Sequence, residues 1–205
     1  MFKFLIQNAR ERSNVWIFST MAISAVLSLI AAFVLSVEAF HLAKDPGTAL
    51  SCSINAIINC ASVMKHPTSE LFGFPNSFLG LIAEPIVITV AVGGLAGIKF
   101  PRAFMAAAQV GYTAGLIFAY YLFLVSVFVI GALCPWCLLV TVSTTLVFMS
   151  LLHYNIREDN LYLSEQTSNR LQGWIANGYD RFVTAILLAA MIFVVLFKYH
   201  NGLFG

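Results

Sequence analysis

Five long apolar runs constrain this chain more than any other feature. They occupy residues 15–37, 78–98, 103–130, 134–153 and 182–197. A helix crossing the hydrocarbon core of a bilayer needs roughly 20 mostly apolar residues, and these runs are of that order. Only helices and closed barrels satisfy their backbone polar groups in lipid, and the runs lack the alternation of barrel strands. Composition agrees: 60% of the residues are hydrophobic and 10% charged, with a mean hydropathy of +0.88. A soluble domain is about 45–50% apolar and about 25% charged, so most of this surface cannot face water. The sequence predicts an all-α integral membrane protein with five transmembrane helices in one membrane domain, 1–205. A net charge of +2 without a basic cluster argues against nucleic acid as a partner and leaves membrane lipid as the obligatory one.

The placement of charge sets an orientation. Of the 11 Lys and Arg residues, Lys3, Arg10, Arg12, Lys99, Arg102, Arg157, Arg170 and Arg181 fall on one side of the runs, and Lys44, Lys65 and Lys198 on the other. The positive-inside rule makes the first side cytoplasmic. The N-terminus is then expected inside, and the tail "YHNGLFG" and the loop 38–77 outside. The link 155–180 is polar, carries both signs and reads as a solvated cytoplasmic connector. "VEA" at 37–39 faintly resembles a signal-peptidase site, yet the apolar core before it, about 23 residues, exceeds the 7–15 of a signal peptide. An uncleaved span is expected.

All four cysteines land on the outer side: Cys52 and Cys60 in the first loop, Cys134 and Cys137 where the fourth run begins. Disulfides form and persist in such a compartment. Three pairings are possible and the sequence does not choose among them, although local spacing favours Cys52 with Cys60 and Cys134 with Cys137. In "CPWC" at the first turn of a helix, free N–H groups and the helix dipole stabilise a thiolate, and Pro135 costs no hydrogen bond there. That makes the pair a redox centre in preference to half of a zinc site, because Cys-x₇-Cys is an atypical second half. No metal is expected. Trp136 reads as an interfacial aromatic. Helical phase places Thr141 and then Thr144 or Thr145 on the face of Cys134 and Cys137, a polar seam running inward whose hydroxyls ordinarily bond backbone carbonyls.

The segments "CSINAIINCASVMKHPTSELFGFPNSFLG" at 52–80 and "IGALCPWCLLV" at 130–140 resemble the vitamin K epoxide reductase family, most of all its bacterial branch without a fused thioredoxin domain. The resemblance covers roughly 49–154 and keeps the order and separation of the four cysteines. It implies a four-helix core, about 15–155, around a quinone, menaquinone or ubiquinone, with the fifth span at 182–197 outside it. It further implies an enzyme of a bacterial inner membrane that reoxidises a separate exported thioredoxin-fold thiol oxidase, passes the electrons to the quinone pool, and so supports disulfide formation in secreted proteins. By the same resemblance Cys52 meets the partner, Cys60 attacks a Cys134–Cys137 disulfide, Cys137 faces the quinone, and Asn76 hydrogen-bonds a quinone carbonyl. Vertebrate members have a tyrosine where this chain has Thr141, so vitamin K epoxide reduction is a secondary reading.

The residues add physical reasons of their own. A loop pair can swing between an aqueous partner and a membrane-edge centre, and exchange needs an accessible sulfur and a good leaving thiolate. Val63, Met64, Leu71, Phe72 and Phe74 among polar neighbours read as an interfacial cap over the site. Asn76, Gly80 and Glu84 fall on one helix face, Gly80 permitting close approach. Glu84 is expensive in a span; a satisfied interfacial acid is expected, with a proton path to the quinone as the alternative. His41, Lys65 and His66 read as exposed loop residues rather than tuners of the thiolates. The competing class is a non-catalytic scaffold stapled by two permanent disulfides; transport of thiols or metals would ask for more intramembrane charge than Glu84.

Overall fold

The computed structural model describes the backbone of residues 2–48 and 50–203 and the side chains of 11–48 and 50–200. The side chains of Lys3 and Arg10 and those of the last five tail residues lie outside the described set. Seven α-helices follow one another: α1 (Phe2–Lys44), α2 (Cys60–Met64), α3 (Ser77–Leu95), α4 (Arg102–Leu124), α5 (Pro135–Arg157), α6 (Glu165–Ala176) and α7 (Tyr179–Leu203). A 3₁₀ turn, Pro67–Glu70, follows α2, and a π-helical segment, Val125–Ile130, prolongs α4. Among the described residues, five segments are long and apolar enough to cross a membrane: Glu11–Lys44, Ser77–Leu95, Arg102–Ile130, Pro135–Arg157 and Tyr179–His200.

The helices start and stop for local reasons. No proline or glycine interrupts α1 before Pro46 and Gly47, so it runs past the apolar run at both ends and carries Glu38 and His41 on its last turns. There the Asp45 carboxylate accepts the Gly47 N–H at 2.9 Å and closes the turn. The third run is an α-helix only to Leu124. Gly131, at φ 71°, then closes the π segment in the left-handed region, with its N–H on the Ser126 carbonyl at 3.0 Å. Pro135 occupies the first turn of α5 behind Cys134, which is the N-cap.

Helices α1, α3, α4 and α5 form the bundle, and α7 packs on α5 and α6 at its flank. The principal contacts are α1 with α3 and α5, and α4 with α5, so α3 and α4 stand apart. The core of the bundle joins Phe18, Met21 and Ala25 of α1 to Val87, Val90 and Ala91 of α3, Met105 of α4, and Val147, Leu151 and Tyr154 of α5. Small residues set the α1–α3 distance, as expected where lipid tails supply no hydrophobic drive between helices. A methyl group added at Gly80 would lie 2.8 Å from Ala32, and one at Gly94 would lie 2.4 Å from the Phe18 ring.

The link 155–180 is fastened to the bundle at its two ends and exposed over most of its middle. Asn155 is fully buried and donates to the Met105 carbonyl and Gln109 Oε1, each at 3.1 Å; residues 165–176 form α6, in which Ser168 is buried and most other side chains are exposed; and Asp180 meets His153 at 2.6 Å.

Gly94→Ala should drive its methyl into Phe18, whose ring is already held 4.9 Å from Tyr154. Overpacking of this kind costs about 1–3 kcal/mol. A lowered thermal midpoint in lipid nanodiscs is the expected outcome; an unchanged one would mean that α1 shifts freely along α3.

Candidate active site

The loop before α2 folds on itself before it meets the bundle. Asn55 Oδ1 accepts the N–H groups of Ile57 and Ile58 at 2.9 and 2.7 Å, and Ile54 N–H reaches the Ile58 carbonyl at 2.9 Å. This tight turn brings Ser53 opposite Asn59 and leaves the Cα atoms of Cys52 and Cys60 5.6 Å apart, joined by a disulfide. Asn59 then caps α2, its Oδ1 accepting from Ser62 N–H at 3.1 Å.

A short parallel bridge fastens this loop to the other cysteine pair. Leu133 N–H donates to the Ile57 carbonyl at 2.7 Å and Asn59 N–H donates to the Leu133 carbonyl at 3.0 Å. The residues that follow each strand of the bridge are Cys60 and Cys134, and their sulfurs lie 3.3 Å apart. Cys134 and Cys137 are free thiols, so the first pairing favoured by spacing is present and the second is a dithiol. Both loop sulfurs and Cys134 are buried with Leu35 and Leu50, and Trp136 packs against this cluster. The side chain expected as an interfacial aromatic therefore also covers the sulfurs.

The helix start acts on Cys134 directly. Its Sγ accepts the Cys137 N–H at 3.3 Å. The thiol is held below its ordinary value of 9.0, first by the hydrogen bond from the Cys137 side chain, with the N–H groups of Cys137 and Trp136 adding to it against the opposing effect of burial.

Below the dithiol lies a cavity of about 920 Å³ between α3 and α4, backed by α1 and α5. Cys134, Cys137, Asn76, Gly80, Glu84 and Thr141 all line it, so the residues singled out from the sequence share one space. Asn76 stands at the N-cap of α3 without a side-chain capping bond; its Nδ2 donates instead to the Thr68 carbonyl at 2.7 Å, and its buried Oδ1 has no partner. Gly80 lines the cavity and backs on Ala32. Thr141 donates to the Cys137 carbonyl at 2.9 Å and Thr145 to the Thr141 carbonyl at 2.8 Å, so the seam is largely spent on backbone. Glu84 is 4% exposed between the helices and accepts from Ser28 Oγ at 2.7 Å and Tyr112 OH at 3.0 Å, so both its oxygens are satisfied. Of the five cap residues, Val63 and Met64 face the cavity, whereas Leu71 and Phe72 are exposed and Phe72 stacks toward Phe74 and Phe118. Lys65 is exposed and donates to the Pro46 carbonyl, and His66 caps the 3₁₀ turn; neither bonds a cysteine.

Three residues were not legible as site residues. Glu38 reaches within 3.3 Å of Cys52 Sγ, and Ser28 and Tyr112 hold Glu84. Polar side chains inside apolar runs were the available signal for the last two.

A membrane bundle that sets a loop disulfide against a dithiol at the mouth of an apolar cavity belongs to the class of membrane thiol oxidoreductases. The vitamin K epoxide reductase family model matches residues 19–152, most of the chain, and the chain belongs to that family. It is a family of oxidoreductases, linked to quinones in general and typically working with thioredoxin-like partners. No curated protein matches the chain.

Because a depressed pKa keeps a thiol ionised below its ordinary value, Cys134 should be a thiolate below pH 9.0 and lose that charge as pH falls through the lowered value. Titration of thiolate ultraviolet absorbance, with Cys52–Cys60 oxidised, should show this. Cys137→Ala removes the side-chain donor that lowers it most and should move the midpoint up; an unmoved midpoint would assign the depression to the backbone N–H groups alone.

Proposed function

We propose that this protein is a quinone-dependent thiol-disulfide oxidoreductase of a bacterial inner membrane. It takes electrons from a separate exported thioredoxin-fold thiol oxidase and delivers them to menaquinone or ubiquinone, supporting disulfide formation in secreted proteins. The observation that carries this reading is the 3.3 Å approach of Cys60 Sγ to Cys134 Sγ across the loop bridge.

The sulfur chemistry balances as two exchanges. The partner's dithiol reduces the Cys52–Cys60 disulfide and leaves oxidised. Cys60 as thiolate attacks Cys134 of a Cys134–Cys137 disulfide, forming Cys60–Cys134 and releasing Cys137. Cys52 then attacks Cys60, re-forming Cys52–Cys60 and releasing Cys134, whose lowered pKa makes it a good leaving thiolate. The product has a loop disulfide and a dithiol at 134 and 137, which is the connectivity in the structure.

The cavity fits the expected acceptor. It is apolar along most of its wall, large enough for a ring and part of a prenyl chain, and provided with few polar groups near one end. A quinone bound there supplies a sink for two electrons and two protons. Asn76 Nδ2 has a second hydrogen beyond the one given to Thr68, suited to a carbonyl, and its unpartnered Oδ1 suits a hydroxyl. Glu84, between Ser28 and Tyr112, is placed to hold a proton deeper in the same wall. Val63 and Met64 cover the mouth and exclude water.

The charge distribution orients this machine. Arg102 and Arg157 lie at the end of the bundle away from the cysteines, where Arg102 pairs with Asp159 and Arg157 bonds Ser13 and Asn14. Lys65 and Lys198 lie at the cysteine end, the latter over Phe128. With the arginine-rich end cytoplasmic, the cysteines and the end of α7 face outward.

Two variants test the reading. Cys137→Ala leaves Cys134 unable to return to its own partner, so a Cys60–Cys134 disulfide should accumulate, and Cys52→Ala added to it should make the trap nearly complete. Mass spectrometry that finds only Cys52–Cys60 in the single variant would overturn the relay. Asn76→Ala removes a donor aimed at developing charge, which should slow quinone reduction about 10²–10³-fold while exchange at Cys52–Cys60 proceeds. Reduction at the parental rate would remove Asn76 from the quinone site.

A further inference from the structure

Among the described residues, the relay leaves one buried acid at the sulfur end without a task. Glu38 sits near the end of α1 and is 8% exposed. Its two oxygens are used differently. Oε1 accepts the Ser51 N–H at 3.0 Å and the Ser51 hydroxyl, which fixes the turn leading into Cys52. Oε2 lies 3.3 Å from Cys52 Sγ, and the carboxylate and the sulfurs of Cys52 and Cys60 all fall within 4.8 Å of one another.

In the disulfide state Cys52 Sγ carries no hydrogen, so the contact at Oε2 is not a hydrogen bond. It becomes one only when Cys52 is a thiol. An anchor for the Ser51 turn needs Oε1 alone and gives no reason to bring the second oxygen to a sulfur inside an apolar cluster, where a charge is costly. Cys52 is itself 5% exposed, which leaves water little access to its proton. A base within hydrogen-bond reach of the proton to be removed is the geometric requirement for general-base catalysis, and Glu38 meets it.

We infer that Glu38 is the proton acceptor for Cys52 in the step that re-forms the loop disulfide, an inference that rests on the relay above. The Cys52 thiol gives its proton to Oε2 as its sulfur attacks Cys60. The Cys52–Cys60 bond forms, the Cys60–Cys134 bond breaks, and the electron pair of the broken bond leaves on Cys134 as thiolate. One disulfide replaces another, so nothing is oxidised or reduced overall, and Glu38 ends the step as a carboxylic acid that returns its proton to water. The reverse exchange runs through the same atoms.

The Cys137→Ala protein isolates this step, because there Cys52–Cys60 and Cys60–Cys134 interconvert without any other redox partner. The full chain in lipid nanodiscs is reduced and given one equivalent of diamide; the approach to equilibrium between the two disulfides is then followed by acid quench and mass spectrometry. Adding Glu38→Gln, which keeps an acceptor for Ser51 but cannot take the proton, should slow that relaxation about 10²-fold or more. Slowing of less than about tenfold would overturn the assignment, since general-base contributions start near 10². Glu38→Asp keeps the carboxylate one methylene further back and should relax faster than the Gln variant; a rate no faster would also overturn it. Absence of the Cys60–Cys134 form in the Cys137→Ala parent is a different result: it overturns the relay and this inference with it.

Discussion

The functional arrangement depends on two backbone hydrogen bonds, those exchanged by Leu133 with Ile57 and Asn59. Side chains at the end of a loop and at the start of a membrane helix have no reason to meet, because each belongs to a segment that can satisfy its own backbone. The bridge gives them one. It uses the short non-helical stretch between the π segment and α5, where the N–H and C=O of Leu133 have no helical partner, and pairs it with a loop whose own turn is held by Asn55. Once the two backbones lie side by side, the next residue on each is a cysteine. A gap of 3.3 Å between sulfurs follows from register and not from any affinity of sulfur for sulfur.

The same stretch decides where the helices end. Gly131 can take φ 71° without the steric cost a Cβ would bring, and so turns the chain out of the π segment into an extended stretch instead of a continuing helix. Cys134 then caps α5 with its sulfur, and the Cys137 side chain first, with the N–H groups of that turn adding to it, lowers its pKa. Redox character and position thus share one origin, the break between α4 and α5. Below it, the cavity exists because α1 is drawn close to α3 through Gly80 and Gly94 and to α5, while α4 packs chiefly on α5 and meets α3 through contacts such as Tyr112 on Glu84. Tight packing on one side of the bundle leaves a space on the other.

How much of this the sequence carries differs by element. The membrane spans and the cysteine groups were legible because hydropathy and cysteine spacing are local signals; the later four spans begin and end within a few residues of their runs, whereas α1 overruns the first at both ends. Helical phase set Asn76, Gly80 and Glu84 on one face of one helix and Cys134, Cys137 and Thr141 on one face of another; a shared site for the two faces was implied by the family resemblance alone, and in the structure both line one cavity. Glu38 was not legible. It lies one residue beyond the first apolar run and reads as the start of a loop; only the continuation of α1 to Lys44 and the fold-back of Ser51 put it beside a sulfur. The partners of Glu84 were not legible for a related reason: position along a helix was visible, whereas the hydroxyls of Ser28 and Tyr112 that satisfy it come from two other helices. The anchors of the link 155–180 at its two ends, Asn155 on Met105 and Gln109 and Asp180 on His153, likewise join residues distant in sequence.

Two acids, Glu38 and Glu84, are buried near the sulfurs and the cavity, and the proposed relay offers a reason for both. A pair of electrons arriving at a dithiol, or leaving it, changes the charge of a site with almost no water. A low-dielectric interior resists that change unless a proton moves with the electrons. Hydroxyl partners alone cannot answer this need, because they donate hydrogen bonds without altering net charge; a carboxylate can, by taking or giving the proton. In the proposed relay, one such group beside the sulfur that completes the internal exchange and another in the wall of the cavity would keep both ends of the path near neutrality. The cost of burying each acid is offset locally, by Ser51 for Glu38 and by Ser28 and Tyr112 for Glu84, with the remaining capacity of Glu38 turned toward Cys52. Under the proposed relay, sulfur register fixes where the electrons would go, and the buried acids sit where those transfers would require protons.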